Sequence, residues 1–279
     1  MSNFDENLTP VLSQATNEDL APLVGYILKA ATEELTKSDL YKRFSPNHKE
    51  YVEVIEREIR KFGGNTIVNL FFETGPKYLE IVGDVAGKLG ANFNKNSTID
   101  EIEAAILMRV MNQAWEKMTP EEKRDFMKEM GLESSLGNLP TSFPMIALQA
   151  AIRASGFAAY RLTLIVANAL AKAILGRGLT FAANRTLARA ISVFAGPIGW
   201  VITGIWTAVD LAGPAYRVTI PCVVHIAMLR RQFSLKTCKE CSTPYTAEVK
   251  FCPNCGAKIE QEDQAKAAAV GSSALSYWP

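Results

Sequence analysis

Apolar positions along most of this chain recur with the period of a helix, not of a strand. In NHKEYVEVIEREIRKF (Asn47–Phe62), Tyr51, Ile55, Ile59 and Phe62 fall at i, i+4, i+8 and i+11, which predicts one amphipathic helix. Thr98-Ile99-Asp100-Glu101 is a capping box ahead of IEAAILMRVMNQAWEKM. Thr119-Pro120-Glu121-Glu122 opens a further helix with Pro in its first turn, and Gly131 stands as its stop. Asn17-Glu18-Asp19 offers a cap before LAPLVGYILKA, whereas residues 1–16 read as a flexible tail. Residues 17–132 are therefore expected to form a helical domain.

After ESSLGNLPTSFP (133–144), which has the Ser, Gly and Pro content of a linker, the pattern changes. Met145–Leu175 is rich in Ala, Leu and Ile. Its polar residues Gln149, Arg153, Arg161, Asn168 and Lys172 share roughly 140° of arc at about 100° per residue. Such a helix is either buried on most sides or lies in a membrane interface with its cations toward headgroups. From Ala190 through Val209 no residue is charged, and Trp200 and Trp206 sit among Gly, Ile, Val and Ala. Ala-Gly-Pro occurs at 195–197 and again at 212–214, dividing the stretch into short helices, and Pro221 marks a further kink or edge. The break at Gly196-Pro197 leaves Pro197–Leu211 at roughly 22 Å, short of a bilayer core of about 30 Å. A re-entrant hairpin or a buried core helix fits better than a plain span.

Charge sharpens this division. The formal net charge is only +1, yet residues 1–133 hold 16 Lys/Arg against 23 Asp/Glu, and residues 134–239 hold 11 against the single Asp210. A basic, apolar region over 145–232 suits either an anionic surface or the acidic N-terminal part. Asp210 reads as the partner of Arg217 in a structural ion pair. The first 20 residues are polar and acidic, so no signal peptide is expected.

Few residues offer chemistry. Only two histidines are present, His48 in a surface loop and His225 in an apolar run, so no Ser/His/Asp or Cys/His constellation can be assembled. Glu53, Glu56 and Glu58 could be paired carboxylates, but a solvated helix face is the plainer reading. No catalytic and no organic-cofactor residues are assigned. The strong signal is Cys238-x-x-Cys241 followed by Cys252-x-x-Cys255. Two such knuckles place four thiolates around one centre with no open position, which suits structural Zn2+. Four-cysteine iron and redox dithiols are the rivals. The fifth cysteine, Cys222, reads as a small buried hydrophobe. Residues 236–258 are expected to be a small β zinc ribbon, and 259–279 a disordered tail.

Three segments carry a family resemblance: FGGNTIVNLF (62–71), LTLIVANALAKAILGRGLTFAAN (162–184) and GPIGWVITGIWTAVDLAGPAYRVTIP (196–221). Residues 17–231 resemble the bacterial YaaW-like proteins, which are remotely similar to ubiquinol–cytochrome c chaperones. The cysteine module resembles a zinc ribbon, above all in FCPNCG (251–256). The resemblance implies a mostly α protein without established enzymatic activity, and it supplies no catalytic residues.

The expected function is that of a non-enzymatic, membrane-associated interaction protein. Its basic region would meet an anionic membrane surface, and its zinc ribbon would dock a protein partner. It would be cytoplasmic, or peripheral on the inner membrane. The alternatives are a soluble helical assembly chaperone and a pore-forming effector. Interspersed arginines without stacking aromatics argue against nucleic acid.

Overall fold

A computed structural model describes residues 4–30, 34–63, 75–130, 156–179, 204, 216–241, 244–246, 250–252 and 255–259. Ten helices lie in this part: α1 Thr9–Gln14, α2 Asn17–Lys29, α3 Glu34–Lys37, α4 Asp39–Phe44, α5 Val52–Gly63, α6 Tyr78–Leu89, α7 Ile99–Lys117, α8 Pro120–Glu129, α9 Gly156–Leu175 and α10 Tyr216–Ser234. A 3₁₀ turn, His48–Tyr51, precedes α5, and one antiparallel pair, β1 Leu235–Thr237 with β2 Pro244–Thr246, follows α10. The fold is mostly α with a small C-terminal sheet, as the patterning predicts.

Local chemistry sets the helix starts. Thr16, Thr98 and Thr119 each cap a helix, and each has its acid three residues on returning the bond to the threonine N–H. At the other end of α6, Gly90 takes the left-handed conformation that closes a helix. Gly75, at φ +67°, sits where a side chain would come within 2.5 Å of the Arg60 carbonyl. This close approach lets the Arg60 guanidinium donate to the carbonyls of Gly75 and Pro76 at 3.3 and 2.9 Å.

α10 is the axis of the core. Every residue from Val218 to Leu229 is buried, and the helix touches α1, α2, α5, α6, α7 and α9. Pro221 lies inside α10 and not at an edge. Its missing N–H costs one backbone bond, which the packing on all sides of this turn tolerates. α9 is the second central helix: residues 162–171 are all buried, with contacts to α2, α7 and α10. The sequence admits two environments for this helix, protein core or headgroups, and the structure puts 162–171 in the core. Asn168 is buried and accepts from the Leu179 N–H at 2.9 Å, Arg161 is half-buried, and Lys172 reaches solvent. One continuous core takes side chains from α1 through α10, joining the acidic and the basic stretches.

Residues 5–15 are not a loose tail. Leu8, Val11, Leu12 and Ala15 are buried, and α1 packs on α5 and α10. Burial of each large apolar side chain stabilises by about 1.5–3 kcal/mol. Polar ties add to this: the Asp5 carboxylate accepts from the backbone N–H of Tyr78 at 2.8 Å, and the Thr9 hydroxyl donates to Glu56 at 2.9 Å. Among the described residues no helix is long and apolar enough to cross a membrane. The linker 133–144, Gln149, Arg153, the uncharged stretch 190–209 save Gly204, Asp210 and the tail from 260 on lie outside the described residues.

Candidate metal centre

Spacing alone predicts that the four paired cysteines share one centre, and the chain's course brings them there. β1 runs directly out of α10 and delivers Cys238 and Cys241. The β1–β2 register, Leu235 opposite Thr246 and Thr237 opposite Pro244, folds the chain back. A bridge between Phe251 and Lys258 frames the second pair. There the Cys252 N–H donates to the Ala257 carbonyl at 2.8 Å and the Gly256 N–H to the Cys252 carbonyl at 3.0 Å, with Gly256 left-handed at φ +71°.

The four Sγ atoms lie within 4.8 Å of one another, with Cys238–Cys255 at 3.7 Å and Cys241–Cys252 at 3.5 Å. A metal about 2.3 Å from each of four tetrahedral sulfurs needs edges of about 3.8 Å. The donor set therefore fits a tetrahedral thiolate-bound ion. None of the cysteines is in a disulfide. Cys238 and Cys252 are buried with Tyr245 in a core too small to hold the ribbon by itself, whereas Cys255 is exposed. Cys222 takes no part: it is fully buried in α10, and burial pushes its thiol well above the ordinary value.

A second polar assembly was not anticipated. Glu103, on α7, has a fully buried carboxylate. Arg230 Nε donates to it at 3.3 Å and Arg231 Nη1 at 3.2 Å, while Arg230 Nη2 donates to the Asn7 carbonyl at 2.7 Å. This clasp joins an acid of the N-terminal part to two cations of the basic part. Burial raises the Glu103 carboxyl, and the two guanidiniums pull it back. The carboxylates Glu56 and Glu58 correct the expected solvated face. Both are buried, Glu56 beside Thr9 and Arg60 and Glu58 beside Arg57 and Lys61, while Glu53 is exposed. Burial raises both carboxyls. Each has its own hydroxyl or cation as neighbour. Arg60 stands one turn from Glu56 on the same helix, whereas Thr9 is brought near only by the fold.

His48, expected in a surface loop, is buried, with Nδ1 against the Tyr51 hydroxyl. His225 is a core histidine. Its Nε2–H donates to the Asp19 carbonyl at 2.8 Å, and Nδ1 has no hydrogen-bond partner among the described residues. Tyr26, edge-on to the His225 ring, and Tyr78 also bury hydroxyls without one. Burial pushes the His225 pKa down to about 4. As pH falls, the unfolded chain takes up this proton first, so the contribution is complete above about pH 6.5 and is lost toward pH 4. Its size is on the order of 3 kcal/mol. The raised carboxyls act oppositely, lowering stability as pH rises through their range. A His225→Gln variant should therefore lose less of its melting temperature than the parent between about pH 6.5 and 4. Parallel curves for the two proteins would refute the assignment.

Comparison with known proteins yields two family models. One described as a ubiquinol-cytochrome C chaperone matches residues 88–226, and one described as a zinc-ribbon domain matches residues 237–259. A UPF0174 protein of Helicobacter pylori strain J99 is 39% identical over 233 residues, covering 81% of this chain and 91% of that protein. A UPF0174 protein of H. pylori strain 26695 is 34% identical, covering 73% of this chain and 99% of that protein. The UPF0174 protein YaaW of Escherichia coli K12 is 29% identical over 72% of this chain and 81% of its own length. No solved structure matches.

Proposed function

The chain belongs to the UPF0174 family, and we propose that it is a non-enzymatic assembly chaperone whose C-terminal ribbon holds one structural zinc ion. The observation that carries the chaperone reading is the extent of the family match. Residues 88–226 begin at the end of α6, include all of α7, α8 and α9 and enter α10, so they take in much of the central core. The non-enzymatic reading is supported by where the polar side chains go. Glu56, Glu58, Glu103, Arg230 and His225 each have a protein partner inside the fold. Zinc is the metal that four thiolates with closed coordination suit best.

Membrane association loses one of its motives, because α9 and α10 bury their apolar faces against each other and against α2 and α7. A client would meet the protein elsewhere. The ribbon presents Phe251, 59% exposed, between Lys250 and Cys252, and this is where we place a docking contact.

In cells lacking this protein, one membrane oxidoreductase complex should fall several-fold in assembled form on native gels. The total amounts of its subunits should change less. Phe251→Ser should reproduce part of the defect while keeping the metal. Unchanged assembly of every such complex would overturn the chaperone reading, and so would a turnover by the pure protein that one side-chain substitution abolishes.

A further inference from the structure

The ribbon is not hung from the helical body by a linker. α10 ends at Ser234 and β1 begins at Leu235, with Cys238 directly after the strand. Phe233 and Leu235 pack against the main core, and β2 rests against α9. One turn back along α10 stand Arg230 and Arg231, which hold Glu103 and the Asn7 carbonyl. The last turn of this helix thus carries the clasp on one side and leads into the metal centre on the other.

Such a turn is the part of a helix that frays unless something beyond it is fixed. Here the Ser234 hydroxyl donates to the Arg231 carbonyl at 2.8 Å, and the strand pair follows. Two strands of three residues are not stable alone in water. In a module of this size the metal supplies what the small core cannot.

We infer that occupancy of the Cys238/Cys241/Cys252/Cys255 centre is coupled to the clasp. A filled ribbon holds β1, seats Leu235 in the core and keeps the last turn of α10 wound, so that both guanidiniums stay on Glu103. Emptying the ribbon releases β1 and lets that turn fray. Glu103 then loses its cations, and the Asn7 carbonyl loses its hydrogen bond to α10. Metal withdrawal at one end of the chain is in this way read out in residues 5–9 and at α7. The inference rests on the metal reading of the four cysteines.

The test is hydrogen exchange on the full chain before and after a chelator, with the metal content measured on the same samples. Removing the metal should speed exchange about tenfold or more in the last two turns of α10, around Glu103 and over residues 5–9, and much less in the middle of α9. A second variant carries a short flexible Gly/Ser insertion between Ser234 and Leu235 and keeps all four cysteines. Its ribbon should still fill and empty, while exchange in the body no longer responds. If the metal leaves the parent and these amides do not change, the coupling is wrong. It is equally wrong if the insertion variant responds like the parent, since the effect then bypasses the junction. A chain that holds no metal and takes up none refutes the metal reading itself, and the metal analysis distinguishes that failure from the other two.

Discussion

Replacing Arg230 and Arg231 together by Met should destabilise the protein by about 3–5 kcal/mol at neutral pH, a loss of about 10 °C in melting temperature. The carboxylate they hold is fully buried and cannot turn to water. Without them it must either stay charged in an apolar site or take up a proton. The loss should therefore depend on pH with a definite sign. Burial already sets the Glu103 carboxyl above its ordinary value, and the guanidiniums oppose that shift. Removing them raises it further, so the folded variant holds its proton to higher pH than the unfolded chain does. Stability then falls as pH rises through this range. The gap between parent and variant should be small near pH 4 and full near pH 8. Adding Glu103→Leu to the double variant should restore most of the loss, because a buried ion pair is often replaceable by apolar groups of similar size. Melting curves across that pH range decide the matter. A gap of the same size at both ends would mean that the arginines act through their stems and the Asn7 bond alone, without the charge.

What the sequence made legible was whatever local chemistry determines. Thr98 with Glu101, and Thr119 with Glu122, announce helix starts because capping needs only residues three apart. The stripe Tyr51, Ile55, Ile59 announces a buried face for the same reason. Four cysteines in two close pairs announce a shared centre because the ribbon is itself local.

Burial of polar groups was not legible in this way. Glu103 sits in IEAAILMRV with nothing to mark it as interior, and its partners lie 127 and 128 residues away. Glu56 and Thr9 are 47 residues apart. A helix with acids on several faces reads as solvated until another element supplies the cation or the hydroxyl. The membrane question has the same origin. An apolar helix such as α9 asks for an apolar environment, and only the other helices decide which one it gets. Leu8, Val11 and Leu12 read as tail in the sequence because six residues are too few for a helix to form unaided. The core under α1 makes that helix possible.

Each of Cys238→Ser, Cys241→Ser, Cys252→Ser and Cys255→Ser should take the proposed zinc from one ion per chain to none under mild chelation. A serine hydroxyl stays protonated and is a poor ligand for an ion that prefers deprotonated soft donors, and three thiolates with water leave the coordination open. The energetic stake is large for so small a module. Apparent zinc-binding energies in zinc-finger peptides reach about 10–16 kcal/mol, and in such modules this is folding energy. Among its described residues the ribbon buries Cys238, Tyr245 and Cys252 alone, so β1 and β2 should lose their register when the metal goes. Cys222→Ser is the contrasting case. It should keep its zinc yet lower the melting temperature, because the new hydroxyl would lie fully buried in α10. Metal analysis of the purified variants, with melting curves on the same samples, separates the two classes. Zinc retained by all four ligand variants, or lost equally from Cys222→Ser, would show that the ion is not held where the four sulfurs converge.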